Sequence, residues 1–132
     1  MAFLLLDTDV FSFLLRPGDT RALLYQPHVR DKDIVLSFIT VGELYAWVEK
    51  RRWGGRTTAL IEDRIASAVV LPFDRDLCRV YGRLKAALPA GRVMPPNDLW
   101  IAACAVRHDI PLATHNRRHF EAISGLRIIC ES

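Results

Sequence analysis

The sequence contains no apolar run near the roughly 18–20 residues that a membrane-spanning helix requires, so no membrane association is expected. Cysteine is scarce: Cys78, Cys104 and Cys130 are odd in number and far apart, which argues against a disulfide framework. A reducing, cytoplasmic setting fits that usage. The apolar stretch Phe3–Leu6 is too short for a signal-peptide core and no basic segment precedes it, so no secretion signal is expected. Repeats, low-complexity tracts and linkers are missing, which predicts one domain over residues 1–132. No glycine-rich phosphate loop follows Leu6 or Ser37, which argues against a nucleotide-binding loop. Charge of either sign is in small excess, +3, so net charge alone does not point to nucleic acid.

What is present is a large apolar complement. Hydrophobic residues make up 51% of the chain, which excludes disorder, and 132 residues suffice to bury a core without staples. Phe3–Leu6 reads as a short buried strand, followed by a helix over residues 10–15 that Pro17-Gly18 stops. Asp19 is placed to cap a short helix through Leu23 and Leu24, and residues 34–37 read as a second strand. Val41, Leu44, Tyr45 and Val48 fall at i, i+3, i+4 and i+7, a helical stripe that Gly54-Gly55 is expected to end. Leu60, Ile61 and Ile65 stripe another helix, and Val69–Leu71 reads as a third strand. Asp74 or Asp76 caps a helix striped by Leu77, Val80, Tyr81, Leu84 and Leu88. Residues 99–106 form an almost wholly apolar helix, expected to be buried all round. Strands over 111–114 and 127–130 flank a short helix at about 118–123. Alternating strands and helices predict an α/β fold with a mainly parallel sheet, and such folds place their sites outside the carboxyl ends of the strands.

Acidic residues gather at those ends. Asp7 follows the first strand, Glu43 lies on the first turn after the second, and Asp98 opens the apolar helix. Thr114 closes the fourth strand, with Asn116 two residues on. Each has an ordinary explanation. Asp7, Thr8 or Asp9 can cap the first helix, Thr40-Val41-Gly42-Glu43 is a complete capping box, and Asn97 or Asp98 can cap the apolar helix. Taken together, like charges at one sheet edge repel each other unless a cation offsets them. The donors are all oxygens, which suits Mg2+ or Mn2+. On this reading Asp9 caps the helix while Asp7 faces the pocket. Basic clusters at Lys50, Arg51, Arg52 and Arg56 around Trp53, and at Arg107, His108, His115, Arg117, Arg118 and His119, suit a phosphate backbone. Trp47 falls roughly opposite the apolar stripe, where it either anchors an interface or lies half-buried under a neighbouring helix.

The segments L-L-L-D-T-D-V, T-V-G-E-L, N-D-L-W-I-A-A-C-A and T-H-N-R-R-H-F, with the ending H-F-E-A-I-S-G-L-R-I, resemble in order and spacing the PIN-domain nucleases, above all the VapC toxins. The resemblance covers nearly the whole chain. It implies a PIN-like three-layer α/β/α domain and a metal-dependent endoribonuclease acting on a structured RNA such as a tRNA or rRNA loop. It also implies 5′-phosphate and 3′-hydroxyl products, a homodimer and a VapB-like antitoxin partner. The family's pocket acids match Asp7, Glu43 and Asp98, with Asp7 and Asp98 as the direct ligands of Mg2+ or Mn2+ and Glu43 beside them. Thr8 and Thr114 match supporting hydroxyl positions, and Lys50, Arg51, Arg52, Arg117 and Arg118 are candidates for RNA contact. Where the family supplies a fourth acid, this chain offers Asn116 and His119, which implies one strong metal site. Competing readings are a non-catalytic binding module, an RNA-processing nuclease without an antitoxin, and a structural zinc site built on Cys104 and His108 or on His115 and His119.

Overall fold

The computed structural model describes residues 2–132. In chain order the elements are β1 (Phe3–Leu6), α1 (Thr8–Leu15), α2 (Thr20–Val29), β2 (Asp33–Ser37), α3 (Phe38–Arg51), α4 (Gly55–Ser67), β3 (Val69–Leu71), α5 (Arg75–Ala87), α6 (Pro96–His108), β4 (Leu112–Ala113), α7 (Arg117–Phe120) and β5 (Ile128–Ile129). The strands form one sheet in the order β3-β2-β1-β4-β5, every pair parallel. Successive side chains of a strand point to opposite faces, so β1 feeds two cores. Leu5 packs with Val35, Leu71, Leu112 and the helices α5, α6 and α7. Leu4 and Leu6 pack with Leu36, Ala113 and the helices α1 to α4. The result is the expected three-layer α/β/α arrangement.

From β1 the sheet grows through β2 to β3 on one side and through β4 to β5 on the other. The carboxyl ends of β1 and β4 therefore flank the point where the winding reverses, which is where open parallel sheets leave a crevice. The Asp7 amide donates to the Ala113 carbonyl at 2.9 Å, which holds the two ends in step.

Four junctions differ from the sequence expectation. The first helix begins at Thr8, so its cap position falls on Asp7, not Asp9, and Asp9 lies in the first turn. Strand β2 passes straight into α3, with Ser37 as cap: its Oγ accepts from the Thr40 amide at 3.1 Å. The Thr40–Glu43 capping box is thereby pre-empted, and Glu43 sits on the second turn, not the first. Helix α6 starts at Pro96, which has no N–H to satisfy, so neither Asn97 nor Asp98 is used as its cap. Gly54-Gly55 does not end α3 either. Arg52 does so in the left-handed conformation, φ 48°, and Gly55 opens α4.

Burial follows the stripes with two exceptions. Tyr45 is exposed and donates to Glu62 at 2.9 Å, while Trp47 and Trp53 pack half-buried against the α1–α4 core. Helix α2 turns Ala22 and Tyr25 inward and leaves Leu23 and Leu24 exposed. The short α7 is anchored by Phe120, which is fully buried. Phe120→Ala is expected to cost about 3–5 kcal/mol, measurable by urea unfolding, and to loosen α7 first.

Candidate active site

The ends of β1 and β4 deliver Asp7 and Thr114 to the crevice, and α3 and α6 add Glu43 and Asp98. Asp7 is 7% exposed. Its Oδ1 accepts from the Thr8 amide at 2.8 Å and its Oδ2 from the Thr114 hydroxyl at 2.7 Å. Asp7 thus serves the helix and the crevice together. Asp9, the expected cap, turns toward the same place. Its Oδ1 accepts from the Val10 amide at 2.6 Å and its Oδ2 from the His115 amide at 3.3 Å. Asp98, on the first turn of α6, meets the Nδ1 of His119 through Oδ2 at 2.6 Å.

These carboxylates feel one another. Burial, then the charges of Asp9 and Asp98, push the Asp7 carboxyl up to about 7, against the hydrogen bonds from Thr114 and Thr8. Burial also raises Asp9, opposed by the amides of Val10 and His115, and Asp98 adds to the rise. A buried carboxyl that resists ionisation beside two others marks a place where negative charge is in excess. Thr114→Val removes the bond that favours the charged form. The Asp7 carboxyl should then titrate at higher pH, which a carbon-13 NMR titration would read.

Glu43 joins the group through Thr8, whose hydroxyl donates to Glu43 Oε1 at 2.7 Å and lies 2.9 Å from the Thr40 hydroxyl. One carboxylate oxygen of Glu43 is therefore held and the other left open. Thr8 and Thr114 each donate a hydroxyl hydrogen bond to an acid. Asn116 is brought alongside by its backbone, whose amide donates to Thr114 Oγ1 at 3.1 Å. Its side chain makes no hydrogen bond to the described residues and leaves α7 without a side-chain cap.

The basic candidates separate. Arg117 and Arg118 lie exposed on α7, the helix that carries His119. Lys50, Arg51 and Arg52 stand at the far end of α3, Arg51 roughly 12 Å along the axis from Glu43. The Arg51 guanidinium rests over Trp47 and Trp53, 5.0 and 5.4 Å from the ring centres.

Zinc chemistry finds no support in the pairs considered. His115 precedes α7 and turns to the Tyr25 hydroxyl at 2.7 Å, away from His119 and its Asp98 partner. Cys104 is fully buried in the apolar core, and burial pushes its thiol up to about 12. Among the described residues no three His, Cys, Asp or Glu side chains close into a ligand cage. The same holds for Asp7, Asp9, Glu43 and Asp98, whose carboxylates gather at the crevice without converging on one point.

A family model described as PIN domain matches residues 4–126. VapC ribonuclease Y4jK of Sinorhizobium fredii is 37% identical over 135 residues, spanning 96% of this chain and 95% of that protein. The tRNA(fMet)-specific endonuclease VapC of Shigella flexneri is 29% identical over 126 residues, 93% of each chain. Among solved structures, VapBC-1 from nontypeable Haemophilus influenzae aligns with a TM-score of 0.85 and 28% identity over 97% of both chains.

Proposed function

Because the chain belongs to the PIN-domain family, we propose that it is an endoribonuclease of the VapC type, the toxin of a toxin–antitoxin pair, and that it depends on Mg2+ or Mn2+. The observation that carries the site is Asp7: a buried carboxyl at the crevice of a parallel sheet, pushed up to about 7 by burial and by Asp9 and Asp98. Such a group fits a divalent cation better than it fits water or a neutral ligand, since the cation offsets the crowded charge. Asp7, Asp98 and Glu43 would hold the ion by drawing together around it, since they do not converge without it, and their oxygens are the hard donors that Mg2+ and Mn2+ prefer. When bound, such a cation polarises a phosphoryl oxygen and stabilises the charge that develops there.

The protein's own groups do the remaining work. Thr114 and Thr8 hold Asp7 by one hydrogen bond on each oxygen. Thr8 fixes Glu43 Oε1, leaving Oε2 to orient an attacking water and take its proton. In-line attack on phosphorus then breaks the P–O3′ bond, leaving a 5′-phosphate, and the departing 3′-oxygen takes a proton from water to become the 3′-hydroxyl. Arg117 and Arg118, on the helix whose His119 meets Asp98, would hold the flanking backbone, with Lys50, Arg51 and Arg52 reached by a longer strand. Asn116 can contribute its amide oxygen where the family pattern has an acid, a weaker donor that favours a single cation.

The substrate on this reading is a structured RNA cut in an unpaired loop of a tRNA or rRNA. An enzyme reaches such a loop without melting a helix, and the Shigella relative is named for a tRNA. The solved relative is a VapBC pair, which supports a VapB-like antitoxin as partner, and the same family reading includes a homodimer. The cytoplasm is the setting we assign, in keeping with three free cysteines. Among the described residues no helix is long and apolar enough to cross a membrane. The test is incubation of antitoxin-free protein with total cellular RNA, with Mg2+, Mn2+ or EDTA, beside a folded Asp98→Asn variant. Discrete fragments that require both cation and Asp98 support the reading. No cleavage by cation-loaded wild type overturns it in favour of a non-catalytic binding module.

A further inference from the structure

We propose that Tyr25 is a positioning residue for the acidic site, holding residues 114–116, through His115, in the register that Asp7 and Asp9 require. The inference rests on the nuclease reading above for its catalytic consequence, but the contacts stand without it. Tyr25 lies on α2, is fully buried, and is remote in sequence from everything its hydroxyl touches. That hydroxyl meets His115 Nδ1 at 2.7 Å, the Thr114 carbonyl at 3.3 Å and the Glu131 amide at 3.0 Å. A phenol has one proton and two lone pairs. The Glu131 N–H can only donate and the Thr114 carbonyl can only accept. All three contacts are satisfied together in one arrangement: Tyr25 donates to Thr114 and accepts from Glu131 and from His115 Nδ1–H.

The same short segment carries the bonds to the acids. The Thr114 hydroxyl donates to Asp7, the His115 amide donates to Asp9, and the Asn116 amide donates to Thr114 Oγ1. Side-chain and backbone contacts thus alternate along Thr114 and His115, outward to the acids and inward to Tyr25, and Asn116 is tied to them through Thr114 Oγ1. The His115 ring is also boxed edge-on by Tyr25 and Phe13, with centroids at 5.6 and 5.4 Å. Phe13 and Tyr25 pack tilted against each other at 6.4 Å, so α1 and α2 together form the seat of the ring. Without the hydroxyl, packing alone would hold residues 114–116, and a carboxylate pair would lose the fixed direction of its donors.

The test compares wild type with Tyr25→Phe, which keeps the ring, and with His115→Ala and His115→Asn. Leu77→Ala, buried in the core on the opposite face of the sheet, serves as a control for lost stability alone. Amide hydrogen exchange is read at residues 114–116 relative to β2, and RNA cleavage is resolved into kcat and KM. Tyr25→Phe and His115→Ala are expected to speed exchange at 114–116 and lower kcat by about tenfold, the scale of a lost supporting hydrogen bond, with KM unchanged. His115→Asn should recover most of both, because its amide places a polar group where Nδ1 stands. The control should lose stability without selective exchange at 114–116. Wild-type relative exchange in Tyr25→Phe overturns the proposal, as does failure of His115→Asn to restore it. A wild type that cleaves no RNA would remove the nuclease reading, while the exchange result would still decide the role of Tyr25.

Discussion

Asp7→Asn is expected to lower RNA cleavage on the order of 10^3-fold while making the protein more resistant to heat at pH 8. The two effects share one cause. Burial and the neighbouring Asp9 and Asp98 push the Asp7 carboxyl up to about 7, so at pH 8 the native state holds a charge that its surroundings oppose. An asparagine keeps the shape. Its amide oxygen can accept from the Thr8 N–H, and its amino group can donate to Thr114 Oγ1, at the cost of the bond Thr114 now gives. The net gain is on the order of 2 kcal/mol, read as a higher melting temperature without added metal. At pH 5 Asp7 already carries a proton, so the gain should vanish there. Catalysis is lost because the amide can no longer offer an anionic oxygen to the cation. A variant that loses both activity and stability at pH 8 would mean a disrupted fold. One that cleaves as well as wild type would remove Asp7 from the mechanism.

The second large effect is competition between protons and the cation. Apparent Mn2+ affinity, measured by calorimetry, should tighten about tenfold per pH unit below 7 and level off above it, because binding must displace the Asp7 proton. The sign for stability follows from the same shift. The folded carboxyl is raised from 3.8 to about 7, so between those values the native state holds a proton that the unfolded chain has released. Its contribution to stability is therefore full below about 4 and is lost as pH rises to 7. Added Mn2+ should reverse that trend, raising the melting temperature at pH 8 far more than at pH 5. A metal affinity independent of pH across this range would show that Asp7 is not a ligand.

Much of this was visible in the residues. The strand ends at Leu6 and Ser37, the apolar α6 and the stripe of α5 follow from hydrophobic period and β-branched runs, and a parallel sheet then puts Asp7 and Thr114 at one edge. What escaped was set by junction length. A capping assignment depends on where the first helical residue falls, and that is decided by how β1 and β2 pair, not by local propensity. Asp9 was therefore given the role that Asp7 fills, and Glu43 was placed one turn too early. Tyr25, His115 and His119 were harder still. Tyr25 sits on a helix whose leucines, Leu23 and Leu24, are the more conspicuous candidates for burial yet remain exposed. Nothing in its neighbourhood in the chain announces a partner some ninety positions away. His119 lies within a visible basic cluster, but only the fold shows that its Nδ1 meets Asp98 while the rest of the ring stays exposed.

The junction of β1 and α1 has a consequence for how this chain can change in length. A single residue, Asp7, separates the last strand residue from the first helical one, and no residue separates β2 from α3. An insertion at either point would rotate the following helix by about 100° and turn Thr8 or Glu43 away from its partner. The segment between α5 and α6, by contrast, spans several residues; Leu88 and Met94 anchor its ends in the core, but Val93 is almost fully exposed, so residues added or deleted between those anchors alter chiefly the outer surface. Homologous chains should therefore vary in length between α5 and α6 and keep a constant count from Phe3 to Asp7 and from Asp33 to Glu43.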